Sequence, residues 1–541
     1  MKKFNLEILT LKIHQLHFFI FTLIFFLVIF FLPIKMDQTD DFGLMILSAG
    51  IYTGENENML IFISPIIGWC LSYLYTNFSN QLNWYSIFIV AIYFVSWLSI
   101  LNLILKSKQF KQQKIIGFYF LFLTFGVYFL INFTFTVASF LIGISAILYF
   151  VFSEQSLKNN AILCVFFILC LLIRSFVFYY LIILLSAIML LFAIAKIAKV
   201  NLKRISSLLI CTLIVFSYNN SLVLSNQEWK KFMEYNIVRG RIQDNPNLYF
   251  NNKEEIKQKM NWSETDYQML YYWNTDNEKL FNITQLQKLL GSIKHSTFWS
   301  MYYLQFVLAS SFFYCAVAFL FLFFFINRNF NWHFFLLILF MLSTVVIISQ
   351  IYIMKERVFL PLLFLLFALL LFIYKFKERN YLLVTAASLA LILMSFKTYN
   401  RVLQNSHQIN TLSNDIEVFN KLNNCDFILW GDLKMNCFTG FKQPFLILKG
   451  RIYISNWLSH SPHNTKILKK RKVDSIYDYS IKNSNCLWLV EKDKFDFKSG
   501  LLKQYYLQNY GLKVECKLQN LNQWKKTNWA FFRIVKITST I

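Results

Sequence analysis

Glycine and proline are scarce in this 541-residue chain, at 14 and 6 positions, and only 15% of residues are charged. An ordinary soluble protein carries about 25% charged residues. The shortage of charge excludes a single soluble domain and a disordered chain. The shortage of glycine and proline excludes collagen and leaves long uninterrupted helices available. The 9 cysteines never form a CxxC pair, which argues against a zinc site and a small disulfide scaffold. Zinc-finger spacing, an RNA-binding signature and a basic helical arm are also missing, so the net charge of +25 does not point to nucleic acid. What abounds is apolar: 57% of residues are hydrophobic and 19% aromatic, with 61 Phe. This balance predicts an integral membrane protein of several spans, with part of the charge serving as the positive-inside signal.

The first run, residues 16–34, offers about 19 apolar positions, enough to cross a hydrocarbon core of roughly 30 Å. Lys2, Lys3 and Lys12 precede it and no small-residue cleavage site follows, so a retained span is expected rather than a signal peptide. Further runs at 84–105, 115–131, 133–152, 160–173, 176–195, 205–224, 298–326, 332–353, 358–374 and 381–396 bring the expected number of spans to about eleven. With the N-terminus in the cytoplasm, the basic loops 106–114, 153–160, 196–204, 327–331 and 375–379 all fall inside. The outer side then receives Asp37, Asp40, Asp41, a large loop at 225–297 and the C-terminal tail. Residues 59–76 are apolar enough for another span, but counting them would reverse the charge bias. Segment 42–80 is therefore expected as helices lying at the outer surface, broken around Pro65 and Gly68.

These readings divide the chain into a transmembrane domain, 1–404, with outer loops 35–83 and 225–297, and an extracytoplasmic α/β domain, 405–541. In the large loop, Ser263-Glu264-Thr265-Asp266 predicts a helix N-cap, and Asp244-Asn245-Pro246 a turn. Beyond 405, short β-branched or aromatic runs at 425–432, 444–455, 485–492, 512–518 and 529–537 predict strands, with helices at about 413–423 and 499–510. Cys425, Cys437, Cys486 and Cys516 lie in this outer segment, where at least one disulfide is expected, with Cys486–Cys516 as a candidate.

The sharpest chemical feature is Asp37-Gln38-Thr39-Asp40-Asp41, just past the first span. Two adjacent carboxylates at a membrane surface raise one another's pKa. They suit a divalent cation such as Mg or Mn, or a general base acting on an acceptor hydroxyl; an acidic, solvated loop end is the plainer reading. An inward N-terminus, an Asp-Asp pair after span one, surface helices in the first outer loop, about eleven spans and an outer C-terminal domain together resemble the GT-C glycosyltransferase superfamily. The segment DDFGLMILSAGIYTGENENMLIFISPIIGWCLSYLYTNFSNQLNWYS is also similar to uncharacterised membrane proteins of bacterial surface-polysaccharide gene clusters. The resemblance implies an enzyme of the bacterial inner membrane. It would move a sugar from a polyprenyl-phosphate carrier to an envelope glycan or lipid acceptor on the outer face. It also implies that Asp40 is the catalytic base or metal ligand, with Asp41 as its partner and Asp37 a weaker substitute as ligand.

A carrier phosphate needs cations. Arg357, with Lys355, stands in IYIMKERVFLP at an expected outer helix end, and the resemblance implies basic residues there. Arg174 interrupts LLIRSFVFYY, and Arg239 and Arg241 lie in the large loop; all three are candidate substrate-binding residues beside the plainer roles of snorkelling or solvated side chains. Trp69, Tyr73, Trp84 and Tyr85 suit stacking on sugar rings, although aromatic residues gather at interfaces in any case. His295 is a lone His, more readily structural than a base. Two other functions remain open: a polysaccharide polymerase of the O-antigen or capsule kind, relying on outer-loop Arg, and a non-catalytic transport or assembly protein. Transport is disfavoured by the near absence of charge at mid-span and of Gly/Pro-broken helices.

Overall fold

The computed structural model describes residues 2–37, 39–107, 111–194, 202–243, 253–293, 355–373, 381–430, 441–519 and 529–537, with short pieces between 335 and 346 and Thr527. Among the described residues, seven helices are long and apolar enough to cross a membrane. They belong to α1 (Lys2–Phe31), α4 (Trp84–Lys106), the stretch Gln112–Ile131 formed by α5 (Lys111–Leu121) and α6 (Val127–Ile131) with a π turn between them, α7 (Phe135–Phe152), α9 (Ser175–Ile194), α10 (Leu202–Leu224) and α16 (Glu356–Ile373). The chain is thus a polytopic membrane protein. Leu157–Ile173, α8, is apolar but shorter. It ends where Arg174 adopts an extended backbone (φ −156°, ψ 97°), the break expected there. The expected spans 298–326 and 332–353 lie almost wholly outside the described residues, as does the expected turn at 244–246. The last expected span opens α17 (Tyr381–Lys421), a 41-residue helix.

Basic residues on the expected inner side close helix ends. Lys114 Nζ donates to the Phe372 carbonyl at the end of α16 (3.2 Å), and Arg204 Nη1 to the Phe150 carbonyl near the end of α7 (2.9 Å). Helix C-termini leave carbonyls unpaired and concentrate negative potential, so cations are favoured there.

The first outer region forms α2 (Thr39–Ser48) and α3 (Pro65–Asn77). The expectation that Pro65 breaks a helix is corrected. Pro65 opens α3 behind the N-cap Ser64, where a missing N–H costs nothing. Gly68 serves packing: a Cβ there would stand 1.9 Å from the Asn58 carbonyl oxygen. The large loop folds as α11 (Gln227–Gln243), α12 (Lys253–Met260), α13 (Glu264–Tyr271), α14 (Glu278–Phe281) and α15 (Ile283–Ser292). Ser263 and Asp266 form a capping box on α13, as the sequence suggests.

The carboxyl-terminal unit is a five-stranded sheet of order β4-β3-β5-β7-β6, built from β3 (Asp426–Trp430), β4 (Ile452–Ser455), β5 (Cys486–Glu491), β6 (Val514–Leu518) and β7 (Trp529–Lys536). Strands β4, β3 and β5 are parallel, while β7 runs antiparallel to β5 and β6. Helices α18 (Pro462–Lys470), α19 (Ile476–Lys482) and α20 (Phe495–Tyr510) complete the α/β architecture. Two expectations fail here. The run 444–455 is not one strand: Pro444–Leu448 winds as a 3-10 turn and Gly450, at φ +72°, redirects the chain into β4. Cys486 and Cys516 are both free thiols. They sit on β5 and β6 with β7 between them, two inter-strand spacings of about 4.8 Å apart, beyond the ~7 Å Cα limit of a disulfide. Cys425 is free as well, and Cys437 lies outside the described residues.

The sheet docks on both outer loops. Gly450 donates its N–H to the Ile51 carbonyl (2.7 Å), Tyr52 Oη accepts from the Ile454 N–H (3.2 Å), and Trp430 Nε1 donates to the Tyr272 carbonyl (2.9 Å). Asp276 accepts from the hydroxyls of Tyr453 (2.8 Å) and Ser455.

Candidate functional site

A small parallel ladder positions the acid pair. Lys35–Met36 (β1), at the exit of α1, pairs with Asn132–Phe133 (β2), just before α7. Asp37 extends the ladder by donating its N–H to the Phe133 carbonyl (3.1 Å). Asn405 on α17 braces both strands, donating to the carbonyls of Pro33 (3.0 Å) and Ile131 (3.2 Å). The chain then enters α2 with Asp40 and Asp41 in its first turn, where the helix dipole favours carboxylates.

The two acids differ in environment. Asp40 is half-buried. Asp41 is completely buried; its Oδ1 accepts from the Tyr85 hydroxyl (2.7 Å) and the Phe135 N–H (2.9 Å), while Oδ2 has no partner. Burial pushes the Asp41 carboxyl from its ordinary 3.8 up to about 7. The two hydrogen bonds pull against this rise, the charge of Asp40 adds to it, and Arg357 draws it back. Arg357 therefore lies within electrostatic reach of Asp41, and its Nη1 is buried without a partner. The plainer reading of a solvated loop end is corrected for Asp41: Tyr85 of α4 and Phe135 at the start of α7 close over it.

Arg174 is held nearby. Its guanidinium lies 5.0 Å from the Phe62 ring and 5.1 Å from the Phe135 ring, and those rings stack at 6.2 Å. Phe135 is the residue whose N–H reaches Asp41. Lys355 is exposed beside the start of α16. Arg239 and Arg241 lie instead in the cap. Arg239 is buried, donates to Asn236 (2.6 Å) and Gln243, and covers the Trp273 ring at 5.3 Å; Arg241 is exposed on the same helix. Trp69 and Tyr73 are exposed, whereas Tyr85 is fully buried as the donor to Asp41. His295 lies outside the described residues.

A second charged cluster adjoins the site and was not anticipated. Glu356, the neighbour of Arg357, accepts from the Tyr128 hydroxyl and pairs with Lys397, with Arg401 Nη2 at 3.9 Å. Lys397 and Arg401 are spaced i, i+4 on α17, so they share one helix face. The signal was present in FKTYNR, but a polar stretch following an apolar one reads as a helix end.

For a divalent cation, no group of three or more His, Cys, Asp and Glu residues capable of holding a metal occurs among the described residues. Mg²⁺ commonly uses only one or two carboxylates together with substrate phosphates. Asp40, half-buried at the start of α2, is compatible with that mode.

No family model and no curated protein matches this chain. Two solved structures are similar over nearly the full length. One is ArnT from Cupriavidus metallidurans in the apo state, with 9% identity, a TM-score of 0.45 and 98% of each chain covered. The other is the same protein bound to undecaprenyl phosphate, with 10% identity, a TM-score of 0.44 and 99% and 98% covered. At this identity and this quality of superposition, the likeness assigns no activity to the chain.

Proposed function

We propose that this protein is a membrane glycosyltransferase of the GT-C kind, moving a sugar from a polyprenyl-phosphate carrier to an envelope glycan or lipid on the extracytoplasmic face. The observation that carries the reading is an acid pair just past the first span, with Asp41 buried and Arg357 within its electrostatic reach. Asp41 Oδ2 and Arg357 Nη1 both lack hydrogen bonds, beside the half-buried Asp40. An acid pair with a guanidinium within its electrostatic reach suits a reaction that takes a proton at one end and receives phosphate charge at the other.

In this reading the acceptor hydroxyl gives its proton to Asp40. Its oxygen forms a bond to the anomeric carbon, and the bond from that carbon to the phosphate oxygen breaks. The electron pair leaves with the lipid phosphate, and the configuration inverts. Asp41 acts through its neighbour: fixed by Tyr85 and the Phe135 N–H, it holds α2 in place and adds negative potential. Arg357 with Lys355 holds the phosphate, supported by Arg174. Arg239 and Arg241, set back in the cap, would meet the acceptor side. If a divalent cation takes part, Asp40 would hold it, with Asp37 a weaker ligand, and it would offset phosphate charge. The orientation that goes with this places the N-terminus in the cytoplasm and the C-terminus outside.

The test is glycan transfer in membranes, with protein level as control. Asp40→Asn should lower the rate by roughly 10² to 10⁴, the usual worth of general-base catalysis. Arg357→Gln should raise the donor KM. Full activity in a well-expressed Asp40→Asn variant, together with loss in Arg174→Gln, would transfer the case to a polymerase relying on outer-loop Arg.

A further inference from the structure

The two outer loops and the carboxyl-terminal domain meet at an open cleft of about 430 Å³, separate from the acid site. Small-molecule sites occupy roughly 300–1,000 Å³. Its walls come from three distant parts of the chain: residues 57–59, the start of α11 at 226–229, and α18. Trp229 forms an aromatic wall, largely buried, with the His463 ring set edge-on against it at 4.9 Å. His463 donates from Nε2 to the Met59 carbonyl (2.8 Å), which fixes its tautomer, and its Nδ1 faces Glu57 at 3.7 Å. Lys466 spans Glu55 (2.8 Å) and Glu57 (2.9 Å). Trp229, His463, Glu57 and Lys466 thus contact one another around the cleft before any ligand arrives.

The charge of the lining selects the ligand class. Glu57 and Glu228 oppose Lys466 and Lys469, and burial pushes the His463 imidazolium down toward the neutral form. The cleft is therefore densely polar yet close to neutral. A phosphate or an acidic polymer needs surplus cation, and the lining residues carry none, their two Glu balancing their two Lys. Carboxylate, amide and hydroxyl groups around an indole face match the hydroxyls and apolar face of an uncharged sugar.

We propose that this cleft binds a neutral saccharide and holds the acceptor glycan. The acceptor role rests on the transferase reading above; the binding does not. The segment that forms one wall continues from Met59 to Phe62, which stacks on Phe135, the residue donating to Asp41. One stretch of chain thus links the cleft to the acid pair.

The experiment uses the full chain in detergent micelles. It is probed with an array of neutral and uronic-acid oligosaccharides, with inorganic phosphate as competitor. Wild type should retain neutral oligosaccharides in the presence of phosphate. Glu228→Gln, an exposed position, and Thr465→Trp, which fills the cleft, should each weaken retention about tenfold or more. Asp40→Asn should bind as wild type does. No retention, retention of acidic glycans alone, displacement by phosphate, or indifference to both cleft variants would each overturn the assignment. Saccharide binding that is lost in the cleft variants, alongside full transfer by Asp40→Asn, would sink the transferase reading and leave the cleft standing.

Discussion

Asp41 shows how one buried carboxylate ties stability to pH. Its pKa is raised from 3.8 to about 7 on folding, so the native state holds a proton that the unfolded chain would release. The contribution is fully present below pH 3.8 and is lost as pH rises through 7, where the buried charge costs on the order of 4 kcal/mol. Asp41→Asn should accordingly raise the thermal midpoint at pH 8.5 more than at pH 5, a difference readable by thermal unfolding in detergent. Equal shifts at both pH values would show that Asp41 is not the titrating group. In transfer assays, wild-type activity should vary around pH 7, and the Asp41→Asn profile should flatten there. Tyr85→Phe removes one of the two donors to Oδ1 and should cost transfer about tenfold, on the scale of one hydrogen bond to a charged group.

At the scale of elements, local patterns were readable where a single helix or strand decides the outcome. The capping box at Ser263 and Asp266, the break at Arg174, and strands near 426, 486, 514 and 529 follow from caps, charge and β-branched runs. The acid pair was legible because it stands alone after an apolar run. Legibility failed where long-range contact decides. The burial of Asp41 depends on β1 pairing with β2, about a hundred residues away, and two-residue strands leave no pattern. The Glu356–Lys397–Arg401 cluster needs two helices brought together, which spacing along the chain does not reveal. The disulfide expectation failed because cysteine count is blind to strand order. It follows that Cys425, Cys486 and Cys516 should all react with a thiol reagent in the denatured, unreduced protein; protection of any one would show pairing, with Cys437 or between Cys425 and Cys486 beside the adjacent strands β3 and β5, and overturn the free-thiol state.

At the scale of the whole molecule, the carboxyl-terminal sheet is a fixed part rather than an appendage. Asp276, half-buried between cap and sheet, accepts from Tyr453 and Ser455, and desolvation there raises its pKa. Asp276→Ala would leave those hydroxyls unpaired at a cost of about 1–3 kcal/mol. It should make the junction sensitive to limited proteolysis in otherwise folded protein, while wild type stays intact. The span count and charge bias also predict that reporter fusions at residues 110 and 541 read cytoplasmic and external; a cytoplasmic C-terminus would remove the outer-face reading.

The long helix α17 has a mechanical consequence. It passes without interruption from the apolar bundle into the sheet, and residue 405, the expected domain border, lies inside it. Between Asn405, seated on β1 and β2, and the helix end at Lys421, a helical rise of about 1.5 Å per residue amounts to roughly 24 Å. The helix is therefore a ruler, setting the height of the sheet above the carboxylates and hence the reach of any chain that must touch both. Inserting four residues after Asn405 would lift the sheet by about 6 Å and turn it by some 40°. A glycan long enough for the original gap would then fall short.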